Sequence, residues 1–118
     1  MKAKLSTHVL DTYHGGPGGN LGWRLEKRAE SGDWVLLREG VTNDDGRTDG
    51  PLLEGEALET GAYRLTFSVG AYFRKRGVQL PEPPFLDEVI VQVCLQAGQS
   101  YHVPLLTSPW SYSTYRGS

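Results

Sequence analysis

The chain has 118 residues, the size of one ordinary domain and too short for two. Hydrophobic residues at 38% and charged residues at 22% suit a globular chain and argue against disorder. A formal net charge of −2 implies no basic face, so neither nucleic acid nor an anionic membrane is expected as a partner.

The first segment, "MKAKLSTHVLD", carries two lysines but no apolar run behind them, because Ser6, Thr7 and His8 interrupt it. No secretory signal is therefore expected. From Leu5 the residues alternate: Leu5, Thr7 and Val9 on one face, Ser6, His8 and Leu10 on the other. A glycine-rich turn, "HGGPGGN", separates this strand from "LGWRLEKR", where Leu21, Trp23 and Leu25 oppose Arg24, Glu26 and Arg28. Turn material recurs at "SGD" and "NDDGRTDGP" before "AYRLTFSV" resumes the alternation, with Tyr63, Leu65, Phe67 and Val69 facing one way. "GAYFRKRG", residues 70–77, breaks the period and predicts a helix of about two turns with Gly77 near its C-cap.

After "PEPP", the run "DEVIVQVCL" sets Val89, Val91, Val93 and Leu95 against Glu88, Ile90, Gln92 and Cys94. "YHVPLL" and "SYSTYR" close the chain as two further strands. Neither face of these two, nor of the first strand, is plainly polar, so both faces are expected to be covered, the second by another subunit. The whole predicts an all-β antiparallel sandwich or barrel with one short helix, a single domain over 1–118, in an oligomer.

Candidate chemistry is sparse. His8 and His102 lie mid-strand, where a histidine commonly bonds across strands, yet imidazole is also the side chain that titrates near neutral pH. No H-x-H, H-x-x-x-H or His/carboxylate cluster completes a metal set around them, so no metal is expected. Arg47 sits in a turn, the ordinary place for a solvated charge. "NDDG" fails as an EF-hand, since registering Gly46 at the invariant glycine puts Val41 first and Leu52 last, where oxygen ligands are needed. "GGPGG" completes neither a P-loop nor a dinucleotide fingerprint, and no serine has a G-x-S-x-G context. His14 reads as exposed and structural. The single cysteine, Cys94, excludes an intrachain disulfide and reads as a buried, inert thiol. No stretch approaches the roughly 20 apolar residues of a membrane helix. "RGS" is no peroxisomal address. A cytosolic setting fits best.

Four segments, "LSTHVLDT", "GVTNDDGR", "GAYRLTFSVGAYF" and "YHVPLLTSPWSYSTYRGS", closely resemble the 5-hydroxyisourate hydrolase family, the transthyretin-related enzymes of urate breakdown. The resemblance runs nearly end to end, with Tyr115-Arg116-Gly117-Ser118 its most specific element. It implies a transthyretin-like sandwich of two four-stranded sheets with one short helix. It also implies a homotetramer built as a dimer of dimers, with the sites in the cleft between dimers. The implied reaction is hydrolysis of 5-hydroxyisourate without metal or organic cofactor. Carried over residue by residue, the catalytic set falls on His8, Arg47, His102 and Ser118, with His8, Arg47 and Tyr115 on the substrate. The resemblance also implies that Tyr115–Ser118 lies at a subunit interface close to the site. Transthyretin itself resembles the chain in fold and in the "LLTSPWSYST" region but lacks this residue set, which leaves a non-catalytic small-ligand carrier as the alternative. "YHGGPGGN" is richer in glycine than the family pattern, and "PFLDEVIV" departs from it; neither touches the implied site.

Overall fold

In the computed structural model, which describes residues 2–117, alternation sorts most of the chain into two layers. On β1 (Lys4–Asp11), Leu5, Thr7 and Val9 are buried while Ser6, His8 and Leu10 stay half-exposed. The same parity runs through β3 (Gly22–Arg28), β6 (Gly61–Ser68), β7 (Glu88–Leu95) and β8 (Tyr101–Thr107), except that Thr66 and Pro104 are buried at outward positions. Their inward residues form one core in which Leu5, Val9, Leu25, Tyr63, Leu65, Phe67 and Leu105 have no exposed surface. Each such side chain contributes roughly 1.5–3 kcal/mol of burial, the main term holding the layers together.

One sheet runs β4 (Trp34–Val41), β3, β6, β7, all antiparallel. The other runs β2 (Gly16–Pro17), β1, β8, β9 (Tyr112–Thr114), with β5 (Leu53–Glu54) also on β1. The sandwich is therefore the expected one, with two differences. The second sheet has five strands rather than four, because two-residue strands β2 and β5 each pair with an end of β1. And β1 pairs with β8 in parallel, from Leu5 opposite Tyr101 to Asp11 opposite Thr107. Alternation sets which face a residue takes but not which way the strand runs, so the parallel pair left no trace in the sequence.

Strand β4 is the longest element with no sequence signal. It is an edge strand whose residues from Val35 onward are all exposed, including Leu36 and Leu37, and a bulge shifts its register between Leu25 and Glu26. Cys94 corrects an expectation. It is exposed, on the outer face of β7 with Ile90 and Gln92, because the inward positions of that strand are taken by Val89, Val91, Val93 and Leu95.

Helix α1 (Val69–Lys75) begins one residue earlier and ends two earlier than the period predicts. Gly77, at φ +82°, closes it: its N–H reaches the Arg74 carbonyl at 3.0 Å and the Val78 N–H reaches Phe73 at 3.0 Å. Val69, Tyr72 and Phe73 are buried beneath the helix.

The Tyr72 hydroxyl ties the helix to the end of β1. It donates to Asp11 Oδ2 at 2.7 Å and accepts from Arg76 at 2.8 Å. Asp11, 1% exposed, also accepts from His14 Nδ1 at 2.6 Å and from the backbone N–H groups of Tyr13 and His14. Burial alone would raise the Asp11 pKa, but these donors outweigh it and hold the carboxyl below its usual range. Burial first, and then the same contact, pushes the Tyr72 phenol up to about 12. His14 is thus exposed, as expected, and also a clamp for the β1–β2 turn.

Removing Asp11 would strand several donors, so Asp11→Ala should lower the unfolding free energy by about 3 kcal/mol near neutral pH, read from urea denaturation. Because the folded pKa is depressed, this stability is present above the ordinary carboxylate range and lost as the pH falls through the folded value. The gap between variant and wild type should therefore narrow on titration to about pH 2. A gap that stays constant in acid would count against the clamp.

Candidate functional site

The outer edge of β1 has no full strand beside it. Three short contacts cover it in turn. Leu52 donates to the Leu5 carbonyl at 2.8 Å, Val9 donates to Gly46 at 2.7 Å, and Gly18 donates to Val9 at 2.9 Å. The middle contact matters most here, because it makes a single antiparallel bridge between His8 and Arg47.

The 43–47 turn is built to make that bridge. Asn43 Oδ1 accepts from the N–H of Asp45 at 2.9 Å and of Arg47 at 3.1 Å, while its amide donates to Asp49 at 3.0 Å. The Asn43 N–H donates to the Arg47 carbonyl at 2.8 Å. Buried Thr42 anchors the turn from behind, donating to Gly18 at 2.6 Å and accepting from Leu21 at 2.9 Å. Gly46 must be glycine: its φ is +76°, and a Cβ there would land on the Val9 carbonyl oxygen and 3.0 Å from the Gly18 nitrogen.

With the turn docked, His8 Nε2–H donates to the Asp45 carbonyl at 2.9 Å. A carbonyl only accepts, so this bond puts the proton of a neutral His8 on Nε2 and leaves Nδ1 as its basic nitrogen. Arg47 is exposed, and among the described residues no carboxylate pairs with its guanidinium. His8, Leu10, Gly16, Pro17, Asp45 and Arg47 line an open cleft of about 450 Å³.

His102 joins from the next strand. The parallel register sets Ser6 beside His102 and His8 beside Pro104, so all four side chains share the outer face of the sheet. Ser6 Oγ lies 2.9 Å from His102 Nδ1. On the far side, Gly117 bridges His102 and donates its N–H to the His102 carbonyl at 2.7 Å. A Cβ on Gly117 would stand 3.0 Å from His102 Cδ2, so the backbone there runs close beside the side chain. Burial first, then the positive charge of Arg47 and the presence of His8, hold the His102 imidazole below its usual pKa. The shift favours the neutral imidazole, the form that can accept a proton.

Tyr115 falls opposite Pro104 by the same register that pairs Leu105 with Thr114 and His102 with Gly117. It does not enter the His8–Arg47 cleft. It is 59% exposed and borders a groove of about 310 Å³ between the edges of β7 and β9. Ser118 lies outside the described residues. The fold thus gathers His8, Arg47 and His102 on one face, with Tyr115 one strand further out. No group of three metal-ligating side chains occurs among the described residues. Sequence reasoning missed Ser6, Asn43 and Gly117 as parts of this arrangement. For Asn43 the signal was present in "NDDG", whose glycine and asparagine make an Asx-braced turn rather than a cation loop.

Such a face can bind and polarise a planar, oxygen-rich small molecule: one cation with a forked set of donors beside two imidazoles with different free nitrogens. Residues 5–117 match the sequence model of the HIUase/Transthyretin family. A protein of Pseudomonas aeruginosa named 5-hydroxyisourate hydrolase is 52% identical over 116 residues, covering 98% of this chain and 91% of its own. A crystal structure of (S)-allantoin synthase superposes with a TM-score of 0.93 at 42% identity over 99% of this chain, which spans 44% of that longer protein. Sea bream transthyretin, solved in complex with thyroxine, superposes at 0.87 with 26% identity, covering 98% of this chain and 95% of its own. The matched span takes in His8, Arg47, His102, Tyr115 and Gly117, and the chain belongs to the HIUase/Transthyretin family.

Proposed function

We propose that this chain is a cofactor-independent cyclic amide hydrolase that opens 5-hydroxyisourate to 2-oxo-4-hydroxy-4-carboxy-5-ureidoimidazoline. The observation that carries this is the shared face of His8, Arg47 and His102, with an imidazole kept neutral beside an arginine that has no carboxylate partner among the described residues. The hydrolase name of close relatives agrees with it.

Opening the ring requires water to add to an amide-like carbonyl and nitrogen to leave. That calls for a base at the water, donors at the developing oxyanion and a proton for the nitrogen. Here the two histidines position and deprotonate the water. Arg47 binds the substrate oxygens and holds the oxyanion. Tyr115 contacts the substrate, and Ser118 belongs to the catalytic set, one of the histidines acting through its hydroxyl. The assembly in this proposal is a homotetramer, a dimer of dimers, in which the half-exposed outer face of β1 and β8 is covered by another copy. Its setting is the cytosol, where the exposed Cys94 thiol stays reduced.

The test is the ultraviolet decay of freshly generated 5-hydroxyisourate. The protein should accelerate it, and His8→Ala, Arg47→Ala and His102→Ala should each lose about 10²–10⁴-fold in rate with melting temperature and oligomeric state kept. Near-wild-type turnover in all three would remove the site assignment. Decay unchanged by the wild-type protein would instead favour a transthyretin-like carrier.

A further inference from the structure

The two histidines are held in opposite ways. His8 gives its Nε2–H to a backbone carbonyl, and its proton position is set by that acceptor. His102 has a serine at the other ring nitrogen: Ser6 Oγ at 2.9 Å from Nδ1. A hydroxyl can donate or accept, so distance alone leaves two arrangements. If Ser6 donated, His102 would carry its proton on Nε2 and have no lone pair free. If Ser6 accepts, the proton sits on Nδ1 and Nε2 is basic.

We propose that Ser6 is a positioning residue for His102, accepting the Nδ1–H so that Nε2 is the lone pair that deprotonates water; this rests on the hydrolase function proposed above. Three features favour it. Ser6 and His102 are Cα partners in the parallel register, so the hydroxyl and the ring leave adjacent strands on the same face with no loop between them. A Cβ built on Gly117 would stand 3.0 Å from His102 Cδ2 and 3.1 Å from its Cβ, so the backbone at 117 runs close beside this side chain. And Ser6 is uncharged. A carboxylate in its place would stabilise the imidazolium and populate the already protonated ring, working against Arg47. A hydroxyl aligns the imidazole without that cost.

The proton traffic then balances at one nitrogen. As the water oxygen bonds to the ring carbonyl carbon, its proton passes to Nε2, giving an imidazolium whose Nδ1–H stays on Ser6. When the carbon–nitrogen bond breaks, the Nε2 proton goes to the departing nitrogen and His102 returns to its starting tautomer. Neither the ring nor Ser6 has to reorient between the two transfers.

The test combines tautomer and kinetics in the intact protein. In the wild type, nitrogen-15 NMR of the neutral His102 ring should find the proton on Nδ1. In Ser6→Ala the proton should move to Nε2, the ordinary preference of a free imidazole, and kcat on 5-hydroxyisourate should fall at least about tenfold with KM little changed. Ser6→Thr, which keeps the hydroxyl, should restore both. A wild-type proton on Nε2, or a Ser6→Ala variant with wild-type kcat while His102→Ala is inactive, overturns the role of Ser6 and leaves the hydrolase assignment standing. An active His102→Ala overturns the role of Ser6 together with the catalytic place of His102, whereas wild-type protein that leaves the decay of 5-hydroxyisourate unchanged overturns the hydrolase reading itself.

Discussion

The hydrogen bond from the Val9 N–H to the Gly46 carbonyl, 2.7 Å long, is the joint on which the site depends. It docks a turn from the middle of the chain onto the exposed edge of the first strand. Without it, Arg47 is a loop cation and His8 an unremarkable strand histidine. With it, the Asp45 carbonyl meets His8 Nε2, and Arg47 is bridged to His8 with its charge near enough to act on His102. The turn can approach so closely because position 46 has no side chain, and it keeps its shape because Asn43 holds two of its backbone N–H groups.

The rest of the fold supplies a rigid floor for that joint. β1 is buried on its inner face by Leu5, Thr7 and Val9, paired along its length with β8, and clamped at its end by Asp11 to the helix. Parallel pairing has a direct consequence for the chemistry. It places residues two apart on β1, Ser6 and His8, beside residues two apart on β8, His102 and Pro104, on one surface. The electrostatics follow from that proximity. Arg47 disfavours an imidazolium at His102, and the same cation serves any oxygen-rich substrate drawn to the cleft.

Much of this was legible in the sequence, for reasons that differ element by element. Period-two alternation announced β1, β3, β6, β7 and β8, because each buries one face against a common core. It could not announce β4, whose side chains are almost all exposed, nor the two-residue strands β2 and β5, which exist only as partners of β1. With no activating residue near it in sequence, Cys94 reads as a buried, inert thiol, but its parity on β7, opposite Val89, Val91, Val93 and Leu95, puts it outside. The histidines stood out as residue types, but nothing local joined them. Ser6 and His102 are 96 positions apart, and His8 meets the 43–47 turn 37 positions on, so their meeting is a fact of topology that alternation does not encode. Family resemblance supplied the list of His8, Arg47, His102, Tyr115 and Ser118. The physical reasons the first three belong together came from register and from one bridge.

The central claim is that burial, and then Arg47 docked on β1, hold the His102 pKa down and favour its neutral imidazole, the form that can accept a proton. Titration of the His102 ring by NMR measures this directly. The wild-type ring should titrate clearly below the ordinary imidazole value of about 6.5, and Arg47→Ala should move it upward toward that value. A wild-type His102 that titrates at or above 6.5, with no response to Arg47→Ala, would contradict the claim.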